Sequence, residues 1–237
     1  MVVKKPPVIF KGSPYFTSRD GLKPEAIVVH VADGSLAGCD SWFNDNPYGV
    51  SAHFCIGRSG AIHQYVNEAD AAHANGAIEQ GYSATLIDEN GYQNPNDWTI
   101  SIEHEGWSGE IPPPVQLEAS AQLSAWLFEA HLFPGGATGV AIDRKHILRH
   151  GEISPKSRPN CPGWSAAVLD AYVARVKTII ESPERKIPEV HLIRRGGEGY
   201  AIGDLQWSHA TPTHDFWVRE VDKGVFGKDD IVVGVPK

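Results

Sequence analysis

AIVVHVA, residues 26–32, decides the fold: six apolar residues, three of them valines, enclose a single imidazole at His30. A short apolar run rich in β-branched residues, closed by the turn-forming Asp33-Gly34, reads as a buried strand. Working outward, SAHFCIG (51–57) and AIHQYV (61–66) read as a hairpin turned at Arg58 to Gly60, and TISIEHE (99–105) as a further strand. Longer stretches with helical spacing alternate with these runs. VQLEASAQLSAWLFEAHLF (115–133) places Ala119, Leu123, Trp126, Leu127 and Ala130 on one face. SAAVLDAYVARVKTII (165–180) offers Ser165 as N-cap and a stripe of Val168, Tyr172, Val176 and Ile179. The alternation predicts an α/β or α+β domain, with both stripes as core faces.

The 237 residues amount to about one and a half domains at ~150 residues each. Punctuation is strongest at Pro112–Pro114, at FPGG (133–136) and in the Pro-rich 183–188 stretch, where a boundary is expected between residues 1–183 and 184–237. Hydrophobic residues at 41% and charged residues at 21% describe an ordinary globular chain and exclude a disordered or fibrous one. A net charge of -8 argues against a nucleic-acid partner bound through its phosphates. That imbalance lies in residues 1–184, because 185–237 hold eight basic and eight acidic side chains. The tail, with Tyr200, Trp207, Phe216, Trp217 and Phe226 amid glycine, reads as a small β-rich module or a docked segment. No run approaches the ~18 apolar residues of a membrane span, and MVVKKPPVIFK lacks the apolar core of a secretory signal, so cytoplasmic synthesis without membrane insertion is expected. Cys39, Cys55 and Cys161 do not form a disulfide framework: Cys39 and Cys55 read as buried thiols in a helix and a strand.

Chemistry concentrates in three places: His30, the acidic face of TISIEHE, and the loop HGEISPKSRPNCPG from His150 to Gly163. A cysteine in a polar, proline-rich loop has little packing rationale. Two imidazoles and a thiolate satisfy Zn²⁺ while leaving a fourth position for water, whose pKa the ion lowers toward ~7. In TISIEHE, alternation sets Ile100, Ile102 and His104 on one face and Thr99, Ser101, Glu103 and Glu105 on the other, so two carboxylates project together and the pattern alone does not separate them. His146 and His150 are four apart, yet RKHILRH lacks the glutamate of a helical HExxH site, so His146 is not expected to bind metal.

The order of these motifs resembles the zinc-dependent N-acetylmuramoyl-L-alanine amidases of the type 2 class, whose fold is shared by phage lysozyme-like amidases and animal peptidoglycan-recognition proteins. The resemblance spans about residues 8–182: KPEAIVVHVADGS looks like the first strand and metal histidine, VSAHFCIGRSGAIHQYV the central hairpin, ADAAHANG a groove loop, WTISIEHEG the catalytic strand, and ILRHGEISPKSRPNCPG the remaining ligands. It implies a mixed central β-sheet flanked by helices, zinc on His30, His150 and Cys161, and Glu103 as general base and acid. The implied reaction is hydrolysis of the amide joining N-acetylmuramic acid to L-alanine in peptidoglycan. An endolysin acting on the wall after holin-type release, as a monomer, is the expected setting. A cytosolic amidase that recycles muropeptides, a peptidoglycan-binding protein without catalysis, and a cysteine peptidase using Cys161 with His150 are the rivals.

Two positions depart from the family pattern. Ala52 precedes His53 where some relatives carry tyrosine, and Pro159 stands where relatives often carry lysine two residues before the third ligand. Arg158 is therefore assigned to the oxyanion, since a guanidinium donates paired hydrogen bonds to developing charge; its rival role is a solvated loop cation. His73 is expected to line the substrate groove, and His53 to contact substrate or to support the strand.

Overall fold

The computed structural model describes residues 3–91, 93–129 and 141–181. In chain order the elements are β1 (Ile9–Phe10), β2 (Phe16–Ser18), β3 (Ala26–Val31), α1 (Leu36–Trp42), β4 (Phe54–Ile56), β5 (Ile62–Gln64), β6 (Asp70–Ala72) and α2 (Leu86–Asn90). They continue with β7 (Thr99–His104), α3 (Pro114–Glu129), β8 (Ile147–Arg149), a 3₁₀ turn (His150–Glu152) and α4 (Ala166–Glu181). Among the described residues six strands form one mixed sheet in the order β1-β5-β4-β7-β3-β8, and β2 pairs antiparallel with β6 in a second, small sheet. The expected hairpin is present as β4 and β5, antiparallel with Cys55 opposite His63, and both expected helices are found. Residues 130–133 of the first helix, the expected boundary and everything expected of 184–237 lie outside the described residues. No described helix is long and apolar enough to cross a membrane.

β3 sits between β7 and β8, parallel to both, and is buried from Ala26 to His30. Such a strand must be apolar on both faces, which is why AIVVHVA shows no alternation. Ile27 and Val29 face α3 and α4, packing with Ile100, Ile102, Leu123, Leu127 and Val176. Ala26 and Val28 face the opposite way, toward Trp98, Leu148 and Ile153. Side chains alternate along a strand, so His30 projects from that second face. The parallel register sets it opposite Glu103.

A chain of hydrogen bonds ties the helix layer to this strand. His104 Nδ1–H donates to the His30 carbonyl at 2.9 Å, which leaves Nε2 to accept from the Ser120 hydroxyl at 2.8 Å. Ser120 in turn accepts from the Tyr172 hydroxyl at 2.8 Å, and Tyr172 from Ser124 at 2.7 Å. Burial holds the His104 imidazole neutral, its pKa lowered to about 4. His53 is a second neutral, enclosed ring: Nδ1 accepts from the Ser101 N–H at 3.0 Å and Nε2 donates to the Asp70 carbonyl at 3.0 Å. Its pKa is lowered to about 3 by burial, then by the Arg19 guanidinium against it.

A close backbone approach positions the last loop. Gly151 N–H donates to the Cys161 carbonyl at 3.2 Å, and a Cβ at Gly151 would stand 2.8 Å from the Arg158 oxygen and 3.1 Å from that of Pro159. Only glycine lets loop 154–161 lie on the turn that follows β8.

Two outcomes follow. A histidine buried neutral must charge on unfolding in acid, so stability is fully present above the ordinary histidine pKa of 6.5 and falls as pH drops toward 4, the folded value of His104; the melting temperature should decline across that window, and a flat profile would contradict the neutral rings. Gly151→Ala should destabilise the fold by about 1–3 kcal/mol through overpacking, measurable by denaturant titration.

Candidate metal centre

Open parallel sheets gather ligands beyond the carboxyl ends of their strands. Here β3 ends at Val31, β7 at His104 and β8 at Arg149, so His30, Glu103 and His150 fall at one edge of the sheet. The 3₁₀ turn carries His150 inward, and the loop packed on Gly151 returns Cys161 to β3. His30 Nδ1 lies 3.8 Å from Cys161 Sγ, the His30 and His150 rings are 4.5 Å apart in an edge-on arrangement, and one donor atom from each of the three residues lies within 4.8 Å of the others.

The surroundings suit a soft divalent ion. A tetrahedral zinc with about 2.0 Å to nitrogen and 2.3 Å to sulfur holds those two donors about 3.5 Å apart, close to the His30–Cys161 separation. Both rings are held neutral, as ligation requires: burial drives His30 well below the ordinary value, and burial lowers His150 to about 4. Burial, then the Glu103 charge, pushes the Cys161 thiol up to about 12, so the thiolate needs a cation beside it. His150 Nε2–H donates to the Asn75 carbonyl at 3.1 Å, leaving its Nδ1 lone pair for the cluster. His30, His150 and Cys161 could thus hold zinc.

Glu103 stands against this cluster, its Oε1 3.9 Å from His30 Nδ1 and its Oε2 buried without a hydrogen-bond partner. Burial, then the Asp33 carboxylate, raises it to about 8. Glu105 separates itself from Glu103 by geometry that the sequence could not give: its Oε2 accepts from the Arg58 N–H at 2.7 Å and closes the hairpin turn.

The cluster floors an open cleft of about 770 Å³, walled by α1 through Gly38, Cys39 and Trp42, by His73, and by Ser157 to Asn160. Arg158 is exposed on its rim, and its charge bears on both Glu103 and His150. His73 lines the cleft, its Nδ1–H donating to the Gly49 carbonyl at 2.9 Å. Of the two roles expected for His53, the structure places it where it can support the strand: it is 1% exposed, both ring nitrogens are occupied, and it is not among the cleft's residues. His146 pairs with Asp143 at 2.7 Å, outside the cluster. Cys39 and Cys55 are buried, their sulfurs 3.5 Å apart, as expected of core thiols. Asn75 and Asp33 were not singled out in the sequence. Asn75 lies two residues beyond His73 in AHANG, and Asp33, with φ 46, follows the first strand directly.

Residues 20–164 match the family model described as N-acetylmuramoyl-L-alanine amidase. N-acetylmuramoyl-L-alanine amidase A of Achromobacter lyticus is 34% identical over 156 residues, 59% of this chain and 78% of that protein. Among solved structures, that of AmpD superposes with a TM-score of 0.50 at 24% identity, covering 73% of this chain and 99% of that one. A mutant of PlyL gives a TM-score of 0.52 at 18% identity over 73% and 99%. The fold is that of the type 2 amidases, and with the family model spanning more than half of its length the chain belongs to the N-acetylmuramoyl-L-alanine amidases.

Proposed function

We propose that this amidase cleaves the bond between the lactyl group of N-acetylmuramic acid and L-alanine in peptidoglycan by a zinc-dependent route, and that it does so on the cell wall as an endolysin. The observation that carries the reading is the meeting of two neutral imidazoles, a thiol and an unpartnered carboxylate oxygen at the floor of one open cleft. A non-catalytic binder has no use for a buried carboxylate beside a metal cluster. A cysteine peptidase would need a reactive thiolate, whereas burial raises the Cys161 thiol.

His30, His150 and Cys161 would hold the zinc, which would supply Lewis acidity toward the scissile carbonyl and the attacking water. Glu103 takes the water proton at its buried Oε2 and returns it to the departing alanine nitrogen. The burial that raises its proton affinity makes the carboxylate a capable base, and the Arg158 charge offsets part of that rise. Arg158, on the rim, reaches over the cleft to donate to the oxyanion. His73 and the wall of α1 flank the glycan and peptide on either side. The enzyme works as a monomer and reaches the wall by release from the cytoplasm with outside help.

Incubation with purified sacculi should free L-alanine amines in step with muramic lactyl carboxyls. Activity on soluble muropeptides alone would instead favour the recycling role. Chelation should abolish turnover and zinc restore it, an outcome that a cysteine peptidase would not share. Glu103→Gln should keep zinc while losing roughly 10²-fold or more in kcat, with Glu105→Gln affecting stability more than rate; the reverse pattern would reassign the base. Arg158→Ala should lower kcat with zinc retained and Arg158→Lys recover part of it, and wild-type turnover in Arg158→Ala would return the residue to solvent.

A further inference from the structure

Resting on the metal reading above, we infer that Asn75 is the positioning residue for both metal histidines, its backbone carbonyl fixing His150 and its side-chain oxygen fixing His30, so that one residue turns both Nδ1 atoms toward Cys161.

The His150 half is direct: Nε2–H donates to the Asn75 carbonyl at 3.1 Å. For His30, two buried atoms stand without a hydrogen-bond partner, Nε2 of the ring and Oδ1 of Asn75, and the Asn75 side chain acts on the His30 ring. Both residues are 1% exposed. An amide could in principle present its NH₂ to the ring, but its neighbours forbid this. The Thr99 hydroxyl donates to the Pro95 carbonyl at 2.7 Å and has no proton left for Asn75. Its oxygen therefore accepts, and Asn75 Nδ2–H donates to it at 2.7 Å. The carboxamide is locked with nitrogen toward Thr99 and oxygen toward His30, which makes His30 Nε2 the protonated nitrogen and Nδ1 the ligand. The main chain at this point is pinned separately: the Asn75 and Ala74 N–H groups both donate to Asn96 Oδ1, at 2.9 and 3.1 Å. A partner that fixes the far nitrogen of a metal histidine sets its tautomer and orientation, and its loss weakens metal binding by about 10–100-fold.

The test reads zinc affinity and imidazole protonation rather than activity. In the full-length, metal-free protein, nitrogen-15 spectra of the imidazoles should show His30 and His150 both protonated at Nε2. Asn75→Ala should leave the His150 signal in place, mobilise the His30 tautomer, and weaken zinc by about 10–100-fold in competition with a chelator. Asn75→Asp keeps an acceptor facing His30, its second oxygen protonated to donate to Thr99 as the amide did, and should bind zinc nearly as the wild type does, which separates loss of the hydrogen bond from loss of packing. Wild-type affinity in Asn75→Ala, equal weakening in both variants, or His30 protonated at Nδ1 in the wild type would each overturn the inference. A wild-type protein that binds no zinc would refute the metal reading of the cleft, and the imidazole spectra would still decide the role of Asn75.

Discussion

Parallel pairing of β3 with β7, with His30 opposite Glu103, is the contact on which the rest of the molecule depends. Strand side chains alternate, so a slip of β3 by one residue would turn His30 into the apolar layer under α3 and α4 and bring Val29 or Val31 to the cleft beside Glu103. The register is held on one side by Ile27, Val29, Ile100 and Ile102, which fit only the helix layer. It is held on the other by Thr99 and Ser101, whose hydroxyls are spent on Pro95 and on the ring of His53. Hydrophobic packing thus chooses the face, and buried polar groups choose the position along it.

That arrangement creates a site unable to charge itself. Burial disfavours protonating His30 or His150, ionising Cys161 and ionising Glu103 alike. Four groups held neutral at the floor of the cleft are poorly stabilised by one another, and a divalent cation would relieve the acidic members together. Their partial burial strengthens electrostatic interactions made there. Arg158 stays on the exposed rim, where it can approach a substrate without lowering the proton affinity of Glu103 as far as a buried cation would.

Much of this was legible in the residues themselves. AIVVHVA announced a strand buried on both faces, the two helical stripes marked α3 and α4, and the odd cysteine in a proline-rich loop pointed to chemistry. The ligand set rested on resemblance, and the fold brings His30, His150 and Cys161 into one cluster. What escaped reading depends on contacts between residues distant in the chain. Nothing near Glu105 shows that the Arg58 N–H engages it, and nothing in SAHFC shows that Arg19, Ser101 and Asp70 enclose His53. Asn75 was hidden because its role is to accept hydrogen bonds from two histidines far away in sequence, one of them with a backbone atom that any residue possesses.

The hydrogen-bonded row from Ser124 through Tyr172, Ser120 and His104 to the His30 carbonyl also constrains how the chain can change over generations. Each hydroxyl passes its proton in one direction, so replacing a single member with an apolar residue strands a buried neighbour, which is more harmful than removing the pair together. Ser120 and Tyr172, on different helices, are therefore bound to drift jointly or not at all. Two positions that look like ordinary helix interior share the fate of the cleft they never touch.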